Sequence, residues 1–285
     1  MKQLLILSGK GGTGKTTIAS SFIELAKAKA FADCDVEAPN LHLVNRGGTK
    51  KSKPYYGMAK AIINQEKCSN CGLCKENCRF DAIEFDGKYM INPNICEGCS
   101  VCQYVCPENA IDMKQYVGGE MTIYRDNYIF STAELKMGSG NSGLLVTEVK
   151  KQLTDNDKDV EVAIIDGSPG IGCPVIASLS GVDMVLIVAE PTLSGISDME
   201  RIINTAKVFK VKIAICVNKY NINIELTRKI EKYTLANSIA FVGVIPYDPR
   251  VVEIINKGKP IVSEDFEVSK AIKNVYSKTF ELFYE

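Results

Sequence analysis

The chain has 285 residues, of which 46% are hydrophobic, and its 34 acidic side chains match its 34 basic ones. That length and apolar share suit a full core, as one large domain or a main domain with a smaller companion. The charge balance excludes a global field that would attract nucleic acid. No apolar stretch approaches the roughly 18–20 residues of a membrane span. Met1-Lys2-Gln3-Leu4 leads into a strand rather than a signal peptide, so a cytoplasmic location is expected.

The first predicted unit is a strand at Leu4-Leu5-Ile6-Leu7, followed by Ser8-Gly9-Lys10-Gly11-Gly12-Thr13-Gly14-Lys15-Thr16-Thr17 and a helix-period segment from Ile18 to Lys29. Strand, glycine-rich loop and helix in that order make a phosphate cradle. Glycines let the backbone approach a polyphosphate, and the amides at the helix start point toward it. Lys15 would neutralise the terminal phosphates, and the Thr16 hydroxyl would ligate Mg²⁺. A plain glycine-rich turn is the alternative; the flanking strand and helix argue against it. Lys10, directly before the glycine pair, is an unusual second lysine.

A second strand approaches Asp33, and Asp35 follows before Pro39 stops the segment. An aspartate at a strand's carboxyl end beside a phosphate loop can position water or hold Mg²⁺. Alone, such a residue is usually a turn or helix cap. Lys10-Gly11-Gly12-x-Gly14-Lys15-Thr16-Thr17 with Asp33-x-Asp35 resembles the deviant Walker P-loop ATPases of the MinD/ParA/Mrp type, a group that includes the nitrogenase iron protein. The resemblance implies ATP/ADP and Mg²⁺ as ligands and a nucleotide-dependent homodimer in which Lys10 reaches the partner's nucleotide. It also implies Asp35 as the carboxylate that orients water; spacing alone does not separate Asp33 from Asp35.

Glycines, lysines and Pro54 make residues 47–57 loop-like, with Lys50-Lys51-Ser52-Lys53 as a solvated run. Composition then shifts. Of the eleven cysteines, eight lie between Cys68 and Cys106, in a chain that otherwise reads as a cytosolic nucleotide-binding protein, so metal is favoured over disulfides. Cys68-x-x-Cys71-x-x-Cys74-x-x-x-Cys78 repeats, 28 residues on, as Cys96-x-x-Cys99-x-x-Cys102-x-x-x-Cys106, and the same offset carries Ala82-Ile83 onto Ala110-Ile111 and Ile63 onto Ile91. This is the bacterial two-cluster ferredoxin pattern, in which the fourth thiolate of each cluster comes from the other half. One [4Fe–4S] cluster would use Cys68, Cys71, Cys74 and Cys106, and the second Cys96, Cys99, Cys102 and Cys78. Arg79 stands where the pattern prefers proline. Structural zinc is the rival, but it leaves the third cysteine of each run unexplained. Short strands are expected at Ala82–Phe85 and Tyr89–Ile91.

Glu120 to Phe130 alternates as a hairpin strand, Gly138 to Gly143 reads as a flexible loop, and Leu144 to Leu153 has helical periodicity. The strand Val160–Ile165 ends in Asp166-Gly167-Ser168-Pro169-Gly170, an arrangement that sets Asp166 near Mg²⁺. Its glycines permit a loop that senses the γ-phosphate. The resembling family has Pro where this chain has Ser168. Strands at Val182–Ala189, Val211–Val217 and Ala240–Ile245 complete an α/β alternation. The resemblance implies that Asn218 meets the adenine edge, with Pro246 and Tyr247 beside the base. Ser269 to Phe283 is amphipathic and expected to pack on the sheet rather than on lipid. His42 stands alone, which excludes a histidine-based triad. Cys216 reads as a buried small residue, and packing is also the plain reading of Cys34 and Cys173.

The expected architecture is therefore a P-loop α/β domain, mostly parallel with helices on both faces. It is built from residues 1–59 and 117–285 and interrupted at 60–116 by a small ferredoxin-like domain holding two [4Fe–4S] clusters. The expected function is ATP hydrolysis coupled, through dimer switching, to electron transfer or to metallocofactor maturation of a partner protein. An iron–sulfur carrier or scaffold, and a positioning ATPase with a redox-sensing insert, are the rival readings. No nucleic-acid partner and no stable membrane insertion are expected.

Overall fold

A computed structural model of the chain describes residues 1–43, 47–155 and 160–285. Its central strands come from continuous apolar runs because both of their faces are covered. In β1 (Lys2–Leu7) the residues from Leu4 to Leu7 are fully buried. α1 (Lys15–Ala26) begins after Gly14 and ends where Lys27 turns left-handed, its N–H donating back to the carbonyls of Glu24 and Ile23. The helix is thus shorter than its periodicity suggests, since the chain must reverse to start β2 (Ala30–Asp33).

The loop expected at 47–57 is instead β3 (Thr49–Tyr56), an edge strand. Its polar sequence hides this. Lys50, Lys51 and Lys53 are exposed, and lysine and proline on an edge discourage pairing with a second chain. A satellite follows: β4 (Lys60–Ile63), the one-turn α2 (Leu73–Glu76), β5 (Ile83–Phe85), β6 (Tyr89–Ile91), the one-turn α3 (Val101–Tyr104) and β7 (Ile111–Lys114). The chain returns through β8 (Val117–Arg125) and β9 (Ile129–Leu135), so the alternating stretch at 120–130 covers one strand, a turn and the start of the next. There follow α4 (Ser142–Thr154), β10 (Val162–Asp166), α5 (Cys173–Leu179), β11 (Met184–Ala189), α6 (Leu193–Val208), β12 (Lys212–Asn218), α7 (Ile224–Ala236), β13 (Ala240–Ile245), α8 (Arg250–Asn256) and α9 (Glu267–Tyr284).

Among the described residues nine strands form one sheet in the order β13-β12-β11-β1-β10-β2-β9-β8-β3, parallel from β13 to β9 and antiparallel at β8 and β3. Side chains alternate between two cores. Leu5, Leu7, Ile165 and Val185 face α4, α5, α6 and α7, whereas Leu4, Ile6, Ile164 and Leu186 face α1 and α9. α9 packs on the sheet as its amphipathic pattern suggests, with Ile272 and Val275 buried and the Tyr276 ring set edge-on to Phe22 at 5.2 Å. Because β1 lies between β10 and β11, the loop after it opens at the strands' carboxyl ends. Asp166 pairs in register with Asp33 on one side and Ile6 on the other. Open α/β sheets bind ligands in that crevice.

The satellite has approximate two-fold symmetry. β4 pairs with β7 through Ile63 and Ile111, and β5 pairs with β6 through Ile83 and Ile91, which are the same residues shifted by the 28-residue repeat and exchanged. The Asn64 amide donates to the Ala110 carbonyl, and its mate, the Asn92 amide, donates to Ala82. Left-handed backbone recurs at Asn70 and Gly98, Gly72 and Ser100, Asp81 and Asn109.

Candidate functional site

Gly12 and Gly14 carry positive φ, 78° and 89°. A side chain on Gly14 would strike the Asn218 amide at 2.3 Å, so glycine is required there by both backbone and space. α1 starts with no side-chain cap and no acidic residue in its first turn. Its leading N–H groups are therefore left for an anionic ligand. Gly11 is unobstructed, Thr13 is buried, and Thr17 uses its carbonyl to accept the Ser20 and Ser21 hydroxyls.

Asp166 is the hub of the loop. One carboxylate oxygen takes the Lys15 ammonium at 2.6 Å, and the other takes the Thr16 hydroxyl at 2.6 Å. Burial works against the Lys15 charge, but Asp166's charge and hydrogen bond outweigh it and hold Lys15 above its ordinary value. Thr16 and Asp166, the two residues expected to face Mg²⁺, thus already touch. Asp33 is fully buried and accepts the amides of Asp35, Asn40 and Leu41 at 2.9–3.0 Å. It thereby shapes the loop that carries Asp35. Burial, reinforced by the Asp166 charge, pushes the Asp33 carboxyl up to about 7. Asp35 is half-buried, and burial raises its carboxyl too, with Lys15 opposing.

The loop after Asp166 is stitched to both neighbours. The Gly170 amide donates to Ser8 and the Cys34 amide to the Asp166 carbonyl, while the Ser168 hydroxyl donates to the Cys34 carbonyl at 2.5 Å. Proline at 168 could not make that last bond, so the departure from the family pattern has a structural use. Cys34 and Cys216 are fully buried. Cys173 is exposed at the start of α5, against the expectation of packing, because the helix begins on the rim of the crevice.

Sequence reasoning missed Glu190. Its carboxylate takes Lys10 at 2.7 Å on one oxygen and Lys219 at 2.9 Å on the other, while Lys10 also reaches the Thr192 hydroxyl at 3.3 Å. Burial alone would raise the Glu190 carboxyl, but the two lysines outweigh it and hold it below its usual range. The signal was available: Glu190 ends a fully apolar strand beside β1, as Asp166 does on the other side. Asn218 donates to the Thr13 carbonyl at 2.7 Å and Lys219 to Gly12 at 2.9 Å, so this pair braces the loop. Pro246 and Tyr247 follow β13, alongside Asn218. Tyr247 is half exposed, and its amide is tied to Asn221.

In the satellite the eight cysteines separate into two sets around two cavities. Cys68, Cys71, Cys74 and Cys106 line one, with Ile63, Ala110 and Ile111; Cys78, Cys96, Cys99 and Cys102 line the other, with Ile83, Ile91 and Val101. Among the described residues no group of three or more His, Cys, Asp or Glu side chains is gathered closely enough for a single metal ion. Sulfur donors spread around a space with apolar walls suit a polynuclear iron–sulfur group better than one hard cation.

Residues 4–261 match the CobQ/CobB/MinD/ParA nucleotide-binding domain. The chain belongs to that family. This CobQ/CobB/MinD/ParA-family chain is 33% identical to an uncharacterized protein of Methanocaldococcus jannaschii, across 98% of this chain and 96% of that one. It is 26% identical to an iron–sulfur cluster carrier protein of Pyrococcus horikoshii, across 97% of this chain and 84% of the carrier. Among solved structures, the septum site-determining protein MinD of Pyrococcus horikoshii, complexed with Mg-ADP, superposes with a TM-score of 0.60 at 18% identity, covering 99% of this chain and 96% of that one. That likeness establishes the fold. No helix among the described residues is long and apolar enough to cross a membrane.

Proposed function

We propose that this family member is a Mg²⁺-dependent ATPase that couples nucleotide-driven dimerisation to one-electron chemistry in residues 60–116, serving a redox or metallocofactor-assembly partner. The observation that carries the redox half is the division of the eight cysteines into two sets, each completed by a cysteine from the other repeat. Cys68, Cys71, Cys74 and Cys106 would hold one [4Fe–4S] cluster and Cys96, Cys99, Cys102 and Cys78 the other. When bound there, such clusters accept and donate single electrons.

On the nucleotide side, the polyphosphate would lie against the amides of Gly11 to Thr17, and Lys15 would turn from Asp166 to the terminal phosphates. Asp166 and Thr16 would then face Mg²⁺, and Asp35 would orient the attacking water. Lys10 is held in this chain by Glu190 and Thr192. Leaving them for a partner's nucleotide gives the dimer an interaction absent from the monomer. Nucleotide shifts an equilibrium only through such a difference between states. The cysteine segment is inserted between the Asp35 and Asp166 loops, the segments expected to respond to hydrolysis.

A carrier function is the second reading, favoured by the carrier relative and by the exposure of Cys71 and Cys99. Anaerobic EPR redox titration with and without MgATP separates the two. Stable signals whose potentials move with nucleotide support electron transfer. Transfer of iron to an apo-protein acceptor, with loss of the signals, supports the carrier. Absence of any iron–sulfur signal in anaerobically isolated protein overturns both.

A further inference from the structure

The two halves of the satellite share their cysteine spacing and the pattern of their backbone, yet the lysine that heads each half meets different surroundings. Lys60 and Lys88 occupy the same place in the repeat, 28 residues apart. Lys88 is exposed, whereas Lys60 is buried to 3%. The Lys60 ammonium donates to the carbonyl of Cys96 and, at 3.3 Å, to that of Ser139. It also stands 5.7 Å from the Tyr116 ring and makes no ion pair among the described residues.

The burial arises because the half containing Cys96 leans on the body of the protein. A methyl group on Gly98 would strike the Ala59 carbonyl at 2.3 Å, and one on Gly138 would stand 3.0 Å from that of Asn94. The equivalent segment of the other half, from Glu66 to Cys71, is largely exposed, and Cys68 is less buried than Cys96. A buried cation without a carboxylate is screened weakly and acts strongly on charge nearby.

We propose that Lys60 is a positioning residue that raises the reduction potential of the group held by Cys96, Cys99, Cys102 and Cys78 and leaves the other group unaffected. The inference rests on the cluster reading above. Adding one electron makes a thiolate-bound cluster more negative. A fixed ammonium hydrogen-bonded to the carbonyl of a ligand cysteine favours that state, since charge and hydrogen bonding near the ligands set the potential. Reduced access to water in the same half works the other way. The effect is therefore read as the change on removing Lys60, with the surroundings held constant.

The test is an anaerobic EPR redox titration of the intact chain, with dithionite as electron donor, on the wild type, Lys60→Met, Lys60→Gln and Lys88→Met. Iron analysis accompanies each titration. The wave lost in Cys96→Ser identifies the group in question. With iron content unchanged, that wave is expected to move to lower potential in Lys60→Met and in Lys60→Gln, which keeps a hydrogen-bond donor but no charge. The other wave should stay in place, and Lys88→Met should move neither. Unchanged waves in whichever Lys60 variant retains its iron, or an equal displacement of both waves, would overturn the inference while leaving the cluster reading intact. A wild type without iron overturns the cluster reading itself, and this inference falls with it.

Discussion

The nucleotide-binding body and the cysteine satellite are ordered by different physics. The body buries whole strands between two layers of helices, and its cores run the length of the sheet. The satellite core contains Ala61, Ile63, Cys74, Ala82, Ile83, Cys96 and Ile111, and its strands are three or four residues long. Strands and one-turn helices of that size do not hold themselves together in water. A unit with so little apolar burial needs a staple, and here bonds from eight cysteines to a bound group would supply it. The body should therefore tolerate losing the group, and the satellite should not.

The largest expected effect tests that contrast directly. Replacing Cys68, Cys71, Cys96 and Cys99 together by serine should unfold the satellite and leave the body folded. In hydrogen exchange, the Asn64 and Asn92 amides, which join the two halves, should lose protection while those of Leu5 and Ile165 keep it. Equal protection in both regions would show that apolar packing suffices for the satellite.

Lys15→Ala should act in the opposite region. It removes the proposed phosphate partner and leaves Asp166 buried without its counter-ion, a loss on the order of 3–5 kcal/mol in stability. Calorimetry should show nucleotide binding abolished, and iron analysis should show the metal content unchanged. Lys10→Ala should be milder. Its side chain is a third exposed and its ammonium touches Glu190 and Thr192, so nucleotide affinity should change by less than about threefold, given the small worth of exposed ion pairs. Nucleotide-dependent dimerisation, followed by light scattering, and hydrolysis should both be lost; a fully active variant would remove the proposed trans role.

A separate effect concerns pH. The folded chain holds Asp33's proton up to about 7, against an ordinary value of 3.8. The folded state therefore binds more protons between those values, and stability must fall as pH rises through that window. Urea midpoints of the nucleotide-free chain should decline toward neutral pH. Asp166→Asn, which removes the adjacent charge, should make the decline end at lower pH. A midpoint independent of pH across this window would contradict the assignment.

Much of the body is legible in the sequence because its signals are local. Continuous apolar runs mark β1, β10 and β11, and the glycine loop announces the turn into α1. Helix and strand ends are less legible: nothing near Lys27 declares the left-handed turn that shortens α1. β3 is concealed because an edge strand is held largely by backbone hydrogen bonds to β8, so its residues from Thr49 to Lys53 can all be polar and only Tyr55 enters the core. Residues 138–143 look flexible from their glycines and serines, yet Ser139 is buried, and its hydroxyl donates to the Gly118 and Lys136 carbonyls. Glu190 escapes because its two lysines lie 180 and 29 residues away in the chain.

By itself the sequence determined the phosphate loop, the order of α and β units and the period of the cysteine repeat, since each depends on neighbours along the chain. Tertiary structure decided which identical-looking residues differ. It buried Asp33 to shape a loop and left Asp35 half open, and it set Lys10 on Glu190. It also pressed one half of the satellite against the body, so that Lys60 points its charge at Cys96 while Lys88 keeps its own in water. Burial fixes how strongly a charge is felt, and burial is a property of the folded whole.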